Sequence, residues 1–439
     1  MNDFWELTYR FFSMMDANVR WVAAGSILLG AASGGLGSFA YLQKRSLLGD
    51  ALAHAALPGV ALAFMVTGQK DFLALLLGAA VSGWIGAVAV TAITKHSKIK
   101  QDAALGIVLT AFFGLGIVLL THIQKSGSGS QSGLDKFLFG QAAAMGRQDV
   151  LILAIVAISM LVALAVGFRQ FKIMAFDPGF GRSIGIKVGL LQVIMTTMLV
   201  FAVTIGLQAV GVVLMAAMLI TPAAAARQWT DRLWLMIGLA SAFGAASGLF
   251  GAYVSFLAPR LPTGPWMVVV VSAVFAVSIL FAPKRGVVAR VRRHRSHRRK
   301  IIRENILKAL FKPGFETRDW SRYCSVSNLE DMWSFTRNEL TSGLSTLKRR
   351  GLIEEHNEVY RLTSGGVAEG ARVTRLHRLW ELYLTQYLDL AGDHVHRDAE
   401  DIEHIITPEM EKQLEAALDK PRFDPHNQEI PYIDREETV

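Results

Sequence analysis

Long apolar stretches alternate with short polar loops over the first two thirds of the chain. Nine of these stretches are of near-membrane length. Because about 20 apolar residues in a helix cross the hydrocarbon core of a bilayer, the pattern predicts about nine transmembrane helices. The predicted spans are 21–42, 51–66, 72–93, 103–120, 150–166, 188–205, 209–226, 233–257 and 267–282.

Small residues recur within several of these spans. Gly30 and Gly34 in the first span and Gly244 and Gly248 in the eighth are spaced at helical intervals. Such residues allow helix backbones to approach closely in lipid, so we expect tight helix pairs. The two spans on either side of Gly206-Leu207-Gln208 are predicted to form one tight hairpin.

The segments outside the spans indicate an orientation. Residues 1–20 mix charged side chains with aromatic ones, which predicts an interfacial amphipathic helix rather than a cleavable signal. Basic residues concentrate in loops 43–46, 95–100, 169–187 and 227–232 and after residue 284. The positive-inside rule therefore places these segments in the cytosol and the N-terminus outside, in a multi-pass protein of the cell (cytoplasmic) membrane.

The composition agrees with a membrane protein that carries a soluble part. Of the 439 residues, 52% are hydrophobic and the mean hydropathy is +0.36, which excludes an ordinary soluble protein. Cys324 is the single cysteine, so an intramolecular disulfide framework is excluded as well.

An acid and an imidazole interrupt the second predicted span. Asp50 and His54 are four residues apart, so on a helix they share one face and can bind one ion together. Pro58 follows four residues later and lacks the N–H that would bond to the His54 carbonyl. Intramembrane ionisable groups are typically functional, and these donors suit Mn²⁺, Fe²⁺ or Zn²⁺. The alternative is structural, with Asp50 as a helix cap and His54 as a hydrogen-bonded interior histidine.

One predicted cytosolic loop contains a helix signal of its own. Asp177 is a typical N-cap, and Pro178 is the residue favoured at the first helical position. The pattern predicts a short helix that exposes Phe180 and Ile184. Such a helix is either a docking element for a soluble partner or an interfacial loop helix.

The composition changes after the last predicted span. Residues 284–300 carry nine basic side chains and no acidic one. A basic run in this position anchors the chain to the anionic lipid of the membrane, and nucleic-acid binding is the alternative.

Residues 301–365 have the pattern of a winged helix-turn-helix. Helices are predicted at 301–311, 328–333 and 337–350, and an alternating strand pair at 352–363. In such a fold the third helix can enter a major groove of DNA. The fold also serves in protein interactions, so DNA binding does not follow from it. The candidate DNA-facing residues are Arg337, Asn338, Lys348 and Arg349.

Metal-ligand spacings occur in the last predicted domain, residues 366–439. Two candidate ligands are at i and i+4, and four more follow at i, i+4, i+7 and i+8, which places each group on one helix face. The same spacing also arises by chance on a polar helix. The candidate metal ligands are His377, Glu381, His396, Glu400, Glu403 and His404.

Four motifs occur in order across the membrane half. They are Gly49-Asp50-Ala51-Leu52-Ala53-His54, Phe176-Asp177-Pro178, Gln208-Ala209-Val210-Gly211 continuing to residues 219–227, and Leu261-Pro262-Thr263-Gly264-Pro265. Together they resemble the permeases of manganese/zinc/iron-type ABC transporters. The resemblance implies a translocation path lined by Asp50 and His54, in a homodimer or beside a paralogous second permease subunit.

The same resemblance implies further partners. An ABC ATPase subunit would dock on a coupling helix, and an external metal-binding protein would deliver the metal. No Gly-x-x-x-x-Gly-Lys-Ser/Thr sequence occurs in the chain, so ATP hydrolysis is expected from a separate subunit. We therefore expect no enzyme activity and no cofactor in the permease. The coupling-helix residues would be Asp177, Pro178, Phe180 and Arg182.

The C-terminal part is similar to the iron- and manganese-dependent repressors. The similarity lies in Leu376-His377-Arg378-Leu379-Trp380-Glu381 and in residues 394–404 and 425–431. It implies a helical metal-binding and dimerisation domain in which His377, Glu381, Glu400, Glu403 and His404 are ligands and His396 is ancillary. Glu400 stands where iron-type members carry cysteine, which favours manganese. The family's first helix supplies a further ligand, but this chain offers Asn305 and Lys308 there, with Glu304 nearby.

These observations predict an all-α polytopic membrane protein followed by a cytosolic winged-helix domain and a helical metal-binding domain. The expected function is the permease subunit of an ATP-driven importer for Mn²⁺, with Zn²⁺ or Fe²⁺ next, and the C-terminal part would sense cytosolic metal. Two alternatives stay open. One is a membrane-tethered or released metal-dependent transcriptional repressor that binds DNA, and the other is an importer of a metal chelate or corrinoid.

Overall fold

The computed structural model describes residues 2–69, 71–125, 140, 145–258, 261–321, 323–332, 336–388 and 406–433. The chain divides into two compact units, Met1–Arg290 and Val291–Val439. Each unit has its own hydrophobic core, and each is described by itself.

The first unit is helical throughout its described part. Its helices are α1 (Asn2–Phe12), α2 (Ala17–Leu42), α3 (Leu48–Thr67), α4 (Phe72–His96), α5 (Gln101–Lys125), α6 (Arg147–Val166), α7 (Phe168–Phe176), α8 (Pro178–Ser183), α9 (Val188–Val210), α10 (Val212–Trp229), α11 (Leu233–Leu257) and α12 (Thr263–Phe281).

Eight helices of the described residues are long and apolar enough to cross a membrane. They are α2, α3, α4, α5, α6, α9, α11 and α12. They correspond to eight of the nine predicted spans, and the remaining span, 209–226, lies in α10. The all-α membrane architecture predicted from the hydrophobic pattern is confirmed.

Two predicted boundaries differ from the structure. The turn between α9 and α10 lies at Gly211, whose φ of 91° favours glycine, and Gly206 lies inside α9. Gly206 instead makes room for Met215, whose sulfur would lie 2.2 Å from an added Cβ. The N-terminal amphipathic helix ends at Phe12 rather than near residue 20, because Met14 adopts a φ of 52° before α2 begins.

Glycines bring α2 and α11 into backbone contact, as the small-residue pattern predicts. A Cβ added at Gly30 would lie 2.0 Å from the carbonyl oxygen of Gly244, and one at Gly34 would lie 2.2 Å from that of Ala240. Because no side chain fits between these helices, their dispersion contacts are made directly by backbone atoms.

α3 lies at the centre of the membrane unit. It contacts α4, α5, α9 and α10, and most of its side chains between Ala51 and Ala61 are buried. The close approach to α4 depends on Gly59 and Gly78, since a Cβ at Gly59 would lie 2.0 Å from the Gly78 carbonyl oxygen. α3 is therefore held by packing along nearly its whole length, and this fixes the position of its two ionisable side chains.

The second unit begins with a winged helix. Its elements are α13 (Val287–Thr317), β1 (Cys324–Ser325), α14 (Val326–Met332), α15 (Arg337–Arg349), β2 (Ile353–His356) and β3 (Val359–Leu362). The strands form one antiparallel sheet in the order β1-β3-β2, and Asn357 and Glu358 make the hairpin turn at positive φ. Leu340, Leu344 and Leu347 of α15 pack into the core. The predicted winged-helix fold is confirmed.

α13 is much longer than the helix predicted at 301–311, because it also includes most of the basic run and continues through Pro313. After the sheet, the described residues include the helices α16 (Ser364–Leu388) and α17 (Pro408–Ala417). Arg375 of α16 pairs with Glu411 and Glu415 of α17 at 2.8 and 2.9 Å, and the segment after α17 returns to Arg378.

Candidate metal site

Asp50 and His54 lie one helical turn apart near the start of α3. His54 Nε2 is 3.4 Å from Asp50 Oδ1, and the two side chains are 14% and 33% exposed. Two ligand atoms that share a metal at about 2.1 Å lie about 3.0 to 3.4 Å from each other, depending on octahedral or tetrahedral geometry. The observed separation therefore suits two neighbouring ligands of one divalent cation, and the partial exposure leaves them accessible.

The other ring nitrogen of His54 is buried. Nδ1 has no hydrogen-bond partner among the described residues, and the ring packs edge-on against Phe113 of α5 at a centroid distance of 4.8 Å. Aromatic packing limits the rotation of the imidazole. Nε2 is thus the His54 ring nitrogen that faces Asp50, whether the pair binds an ion or is structural.

The backbone around His54 is fixed from two sides. Ser82 Oγ of α4 donates a hydrogen bond of 2.6 Å to the Ala55 carbonyl oxygen, and Gly116 of α5 brings the helix backbone against Leu57 and Pro58. The sequence gives no signal for Ser82 or Phe113, because both reach the site from other helices. Glycines at helical spacing on α4 and α5 are the only feature that hints at such close approach.

Asp50 and His54 alone do not complete a coordination sphere. Across the described ranges, no group of three or more His, Cys, Asp or Glu side chains is placed to hold a metal ion. A six-coordinate ion would need further oxygen ligands, from water, from backbone carbonyls or from a second subunit. Two ligands on one chain suit transient binding better than permanent retention.

The short helix predicted after Asp177 is present as α8. The Asp177 carboxylate accepts a hydrogen bond of 2.8 Å from the Phe180 backbone N–H, and Pro178 occupies the first turn. Phe180 and Ile184 are 54% and 51% exposed, and the Arg182 side chain lies in the last turn of the helix. α8 thus presents an apolar surface beside a cation.

In the second unit, His377 and Glu381 form a buried pair on α16. His377 Nε2 lies 3.1 Å from Glu381 Oε1, and both side chains are less than a tenth exposed. This separation also fits two ligands of one cation. The other four candidate ligands, His396, Glu400, Glu403 and His404, lie outside the described residues.

Asn305 and Lys308 lie on α13, the helix on which the resemblance to the repressors implies a further ligand. Asn305 is buried, and its side-chain Oδ1 has no hydrogen-bond partner in the described part of the chain. An amide oxygen is a neutral, hard ligand of the kind that manganese accepts. Lys308, half-buried on the next turn, is a cation and cannot be a ligand. His377 and Glu381 thus fit a divalent cation, and Asn305 carries less negative charge on α13 than a carboxylate there would give.

The candidate DNA-facing residues lie on α15. Arg337 and Asn338 are exposed in the first turn, and Arg349 Nη2 lies 3.5 Å from Thr346 Oγ1. Lys348 Nζ, however, pairs with Glu355 of β2 at 2.8 Å. Their hydrogen bond and attraction raise the pKa of Lys348 and lower that of Glu355, so this cation is already neutralised.

Comparison with known proteins identifies both parts of the chain. The model of the ABC 3 transport family matches residues 15–282, and that of the iron dependent repressor, metal binding and dimerisation domain matches residues 363–432. The two matches fall on the membrane helices and on the segment from α16 onwards.

Individual relatives agree with the family match. The manganese transport system membrane protein MntC of Bacillus subtilis is 43% identical over 381 residues, covering 86% of this chain and 87% of the relative. The zinc transport system membrane protein TroC of Treponema pallidum is 44% identical over 288 residues, covering 65% and 95%. The structure of PsaBC from Streptococcus pneumoniae in complex with Fab superposes with a TM-score of 0.57 at 31% identity, covering 63% of this chain and 97% of that chain. The chain therefore belongs to the ABC 3 transport family of multi-span metal transport permeases of the cell membrane, and it carries an iron-dependent-repressor domain after the membrane unit.

Proposed function

We propose that this chain is the permease subunit of an ATP-driven importer of divalent transition metal, with Mn²⁺ as the favoured substrate and Zn²⁺ or Fe²⁺ next. The observation that carries the proposal is the pair of Asp50 and His54, two accessible ligand atoms 3.4 Å apart on one membrane helix. A carboxylate and an imidazole accept all three ions. The relatives are named for manganese and for zinc, so the preference for Mn²⁺ is a proposal.

The proposed roles follow from the chemistry of the two side chains. Asp50 supplies negative charge that offsets the desolvation of the ion, and His54 supplies a directional nitrogen ligand. Because the described part of one chain offers only these two side chains at the site, a second permease subunit would bring the ligand number to four. Transport requires that binding be strong enough to admit the ion and weak enough to release it.

The energy source would be a separate ABC ATPase subunit that docks on α8. Phe180 would fill an apolar pocket of the ATPase, while Arg182 would pair with an acidic side chain at its rim. An external metal-binding protein would deliver the ion at the opposite face of the membrane. The C-terminal unit would then lie in the cytosol, where it can respond to imported metal.

Binding of Mn²⁺ to the purified full-length chain tests the substrate assignment. The electron paramagnetic resonance signal of free Mn²⁺ falls when the ion binds, so it reports the number of bound ions. We expect Asp50→Asn and His54→Gln to lose the permease site and keep the C-terminal one. Glu403→Gln with His404→Gln should give the opposite result. Equal Mn²⁺ binding by wild type and both permease variants would refute the site, and would favour a chelate or corrinoid as the substrate.

We propose that the C-terminal unit senses cytosolic metal and restrains transport. His377, Glu381, Glu400, Glu403 and His404 would hold the ion, with His396 ancillary. The bound cation would supply charge neutralisation that allows the tails of two permease subunits to dimerise. The buried pair of His377 and Glu381 supports this, because an imidazole nitrogen and a carboxylate oxygen 3.1 Å apart can be ligands of one cation.

Transport into metal-loaded proteoliposomes tests the regulatory role. Wild-type uptake should slow as internal Mn²⁺ rises, and Glu403→Ala with His404→Ala should remain fast at high internal metal. The same slowing in wild type and in the variant would refute metal sensing by this domain.

A further inference from the structure

A basic groove lies between α13 and α15 in the second unit. Its volume is about 540 Å³, and α13 forms one wall while α15 forms the other. The guanidinium groups that line it are those of Arg295, Arg298, Arg299, Arg303 and Arg349. Glu339 is the single carboxylate among the lining residues of the described chain, and it pairs with Arg298 at 2.7 Å.

The groove therefore has a large excess of positive charge. Five guanidinium groups face one carboxylate, which leaves a net charge of +4 along its walls. Burial, together with the guanidinium groups of Arg350 and Arg299, lowers the pKa of Arg303, although Glu304 acts in the opposite direction. Positive charge concentrated in a cleft attracts anions, and guanidinium groups bind phosphate oxygens in bidentate fashion.

The two helices of the groove touch at its base. A Cβ added at Gly343 of α15 would lie 2.5 Å from Ile306 Cδ1 and 3.2 Å from Ile302 Cγ2 on α13. Above this apolar base, Asn338 and Ser342 add an amide and a hydroxyl to the α15 wall. A phosphate group in the groove can therefore reach guanidinium groups on α13 and polar side chains on α15.

The wing of the winged helix, which normally approaches DNA together with α15, is acidic. The β2–β3 wing has acidic side chains at Glu354, Glu355 and Glu358. Glu355 neutralises Lys348 of α15, and Glu354 pairs with Arg361 at 2.5 Å. A duplex docked on α15 would bring its phosphates towards this acidic wing, which is unfavourable.

The groove is close to the membrane along the chain. Thirteen residues separate Phe281 at the end of α12 from Arg295, and those from Val287 onwards are helical. Residues 282–286 form a turn in which the Gly286 N–H donates a 2.8 Å hydrogen bond to the Ala282 carbonyl oxygen. Even if these five residues were fully extended, they and the two helical turns after them would span at most about 30 Å. Lipid headgroups are therefore within reach of the chain that carries the groove.

We infer that the α13–α15 groove binds the phosphate headgroup of an anionic membrane lipid. Arg295, Arg299 and Arg303 contact the phosphate from one wall, and Asn338 and Ser342 contact it from the other. The lipid then holds α15 at the membrane surface and occupies the face that would approach DNA. The inference goes beyond the proposed transport function and does not depend on it.

Hydrogen–deuterium exchange on the full-length chain in nanodiscs tests this inference. Discs of phosphatidylcholine are compared with discs that also contain phosphatidylglycerol, and exchange is read in residues 337–349. We expect phosphatidylglycerol to slow exchange there in wild type. Each basic residue near an anionic surface contributes about fivefold to binding, so Arg295→Gln with Arg299→Gln and Arg303→Gln should abolish the slowing.

Two further variants distinguish an effect of the groove from a general effect of positive charge and from an effect on folding. Arg290→Gln with Arg293→Gln and Lys300→Gln removes the same charge from positions on α13 that do not line the groove, and exchange of residues 337–349 should still slow as in wild type. Ser342→Asp places a carboxylate on the α15 wall without changing α13, and it should lose the response. Unchanged slowing in the groove variants would overturn the inference.

Two ligands other than lipid are tested in discs of phosphatidylcholine alone. Inorganic phosphate should leave the exchange of residues 337–349 unchanged, and a slowing equal to that by phosphatidylglycerol would make soluble phosphate the ligand and overturn the lipid assignment. A random-sequence DNA duplex should also have no effect. Protection by DNA that the groove variant loses would overturn the inference in favour of nucleic-acid binding.

Discussion

The contact between α3 and α4 gives a direct test of how the membrane site is positioned. A Cβ added at Gly59 would lie 2.0 Å from the Gly78 carbonyl oxygen and 2.6 Å from Ser82 Cβ, whereas ordinary contacts begin near 3.4 Å. Gly59→Ala therefore forces the backbones of α3 and α4 to move about 1.4 Å further apart (3.4 − 2.0). Overpacking of this kind costs about 1 to 3 kcal/mol.

The expected loss is measurable as a shift in Tm. For a domain of this order of size, 1 kcal/mol corresponds to about 2 to 4 °C, so Gly59→Ala should lower Tm by about 2 to 12 °C. The assay is the fraction of monodisperse protein that remains after heating in nanodiscs. We also expect slower metal uptake, because the movement of α3 displaces His54 and strains the hydrogen bond from Ser82 to Ala55.

Gly114→Ala is the matched control. Gly114 lies on α5, and an added Cβ there meets nothing within 4 Å. Alanine in a helix is more stable than glycine by about 0.5 to 1 kcal/mol, so this variant should melt at the wild-type temperature or slightly above. Equal Tm values for Gly59→Ala and Gly114→Ala would refute the claim that direct backbone contact holds α3.

Three further predictions concern other elements. Asp177→Ala should remove the 2.8 Å N-cap hydrogen bond from the Phe180 N–H, destabilise α8 by about 1 kcal/mol and uncouple ATP hydrolysis from metal uptake. Asp177→Asn should retain coupling, and coupled transport in the alanine variant would contradict the prediction. Hydrogen bonds from Thr336 lower the pKa of Glu339, so the cap that Glu339 makes on α15 should be complete above pH 4.5 and be lost as pH falls through the lowered pKa. Hydrogen–deuterium exchange in the first turn of α15 measures this, and the same pH profile after Glu339→Gln would refute it. Arg378→Lys should destabilise the second unit by about 2 to 5 kcal/mol, because lysine cannot reproduce the buried guanidinium contacts with residues 424–429. Limited proteolysis of the variant that is as slow as that of wild type would contradict this.

Local patterns were sufficient to predict most elements of the fold. The length of the apolar stretches predicted the membrane helices. The Asp177-Pro178 pair predicted α8, because an N-cap acts on backbone groups within three residues of itself. The extent of α13 was not predictable from apolar periodicity. Its basic run has charges on all sides, yet Arg and Lys are good helix formers and are fully solvated there, so the helix extends without a buried face.

The candidate sites were predictable only as far as they lie on one helix. The spacing of Asp50 and His54, and that of His377 and Glu381, places each pair on one face whatever the rest of the fold. The neighbours of these pairs come from distant segments. Phe113 packs on His54 from a helix 59 residues further along the chain, and sequence periodicity does not predict which helices become neighbours. The basic groove needs two helices to form, so the sequence showed its charges without their arrangement.

Uptake of radiolabelled Mn²⁺ by proteoliposomes that contain this chain and its ATPase tests the central proposal most directly. His54→Ala should lower ATP-driven uptake by about tenfold or more while the complex still assembles and hydrolyses ATP. His96→Ala is the matched control, since His96 is exposed at the end of α4, and it should transport at the wild-type rate. Competition by Zn²⁺ and Fe²⁺ in wild type ranks the three metals. Wild-type uptake by the His54→Ala variant would contradict the proposal that Asp50 and His54 line the metal path.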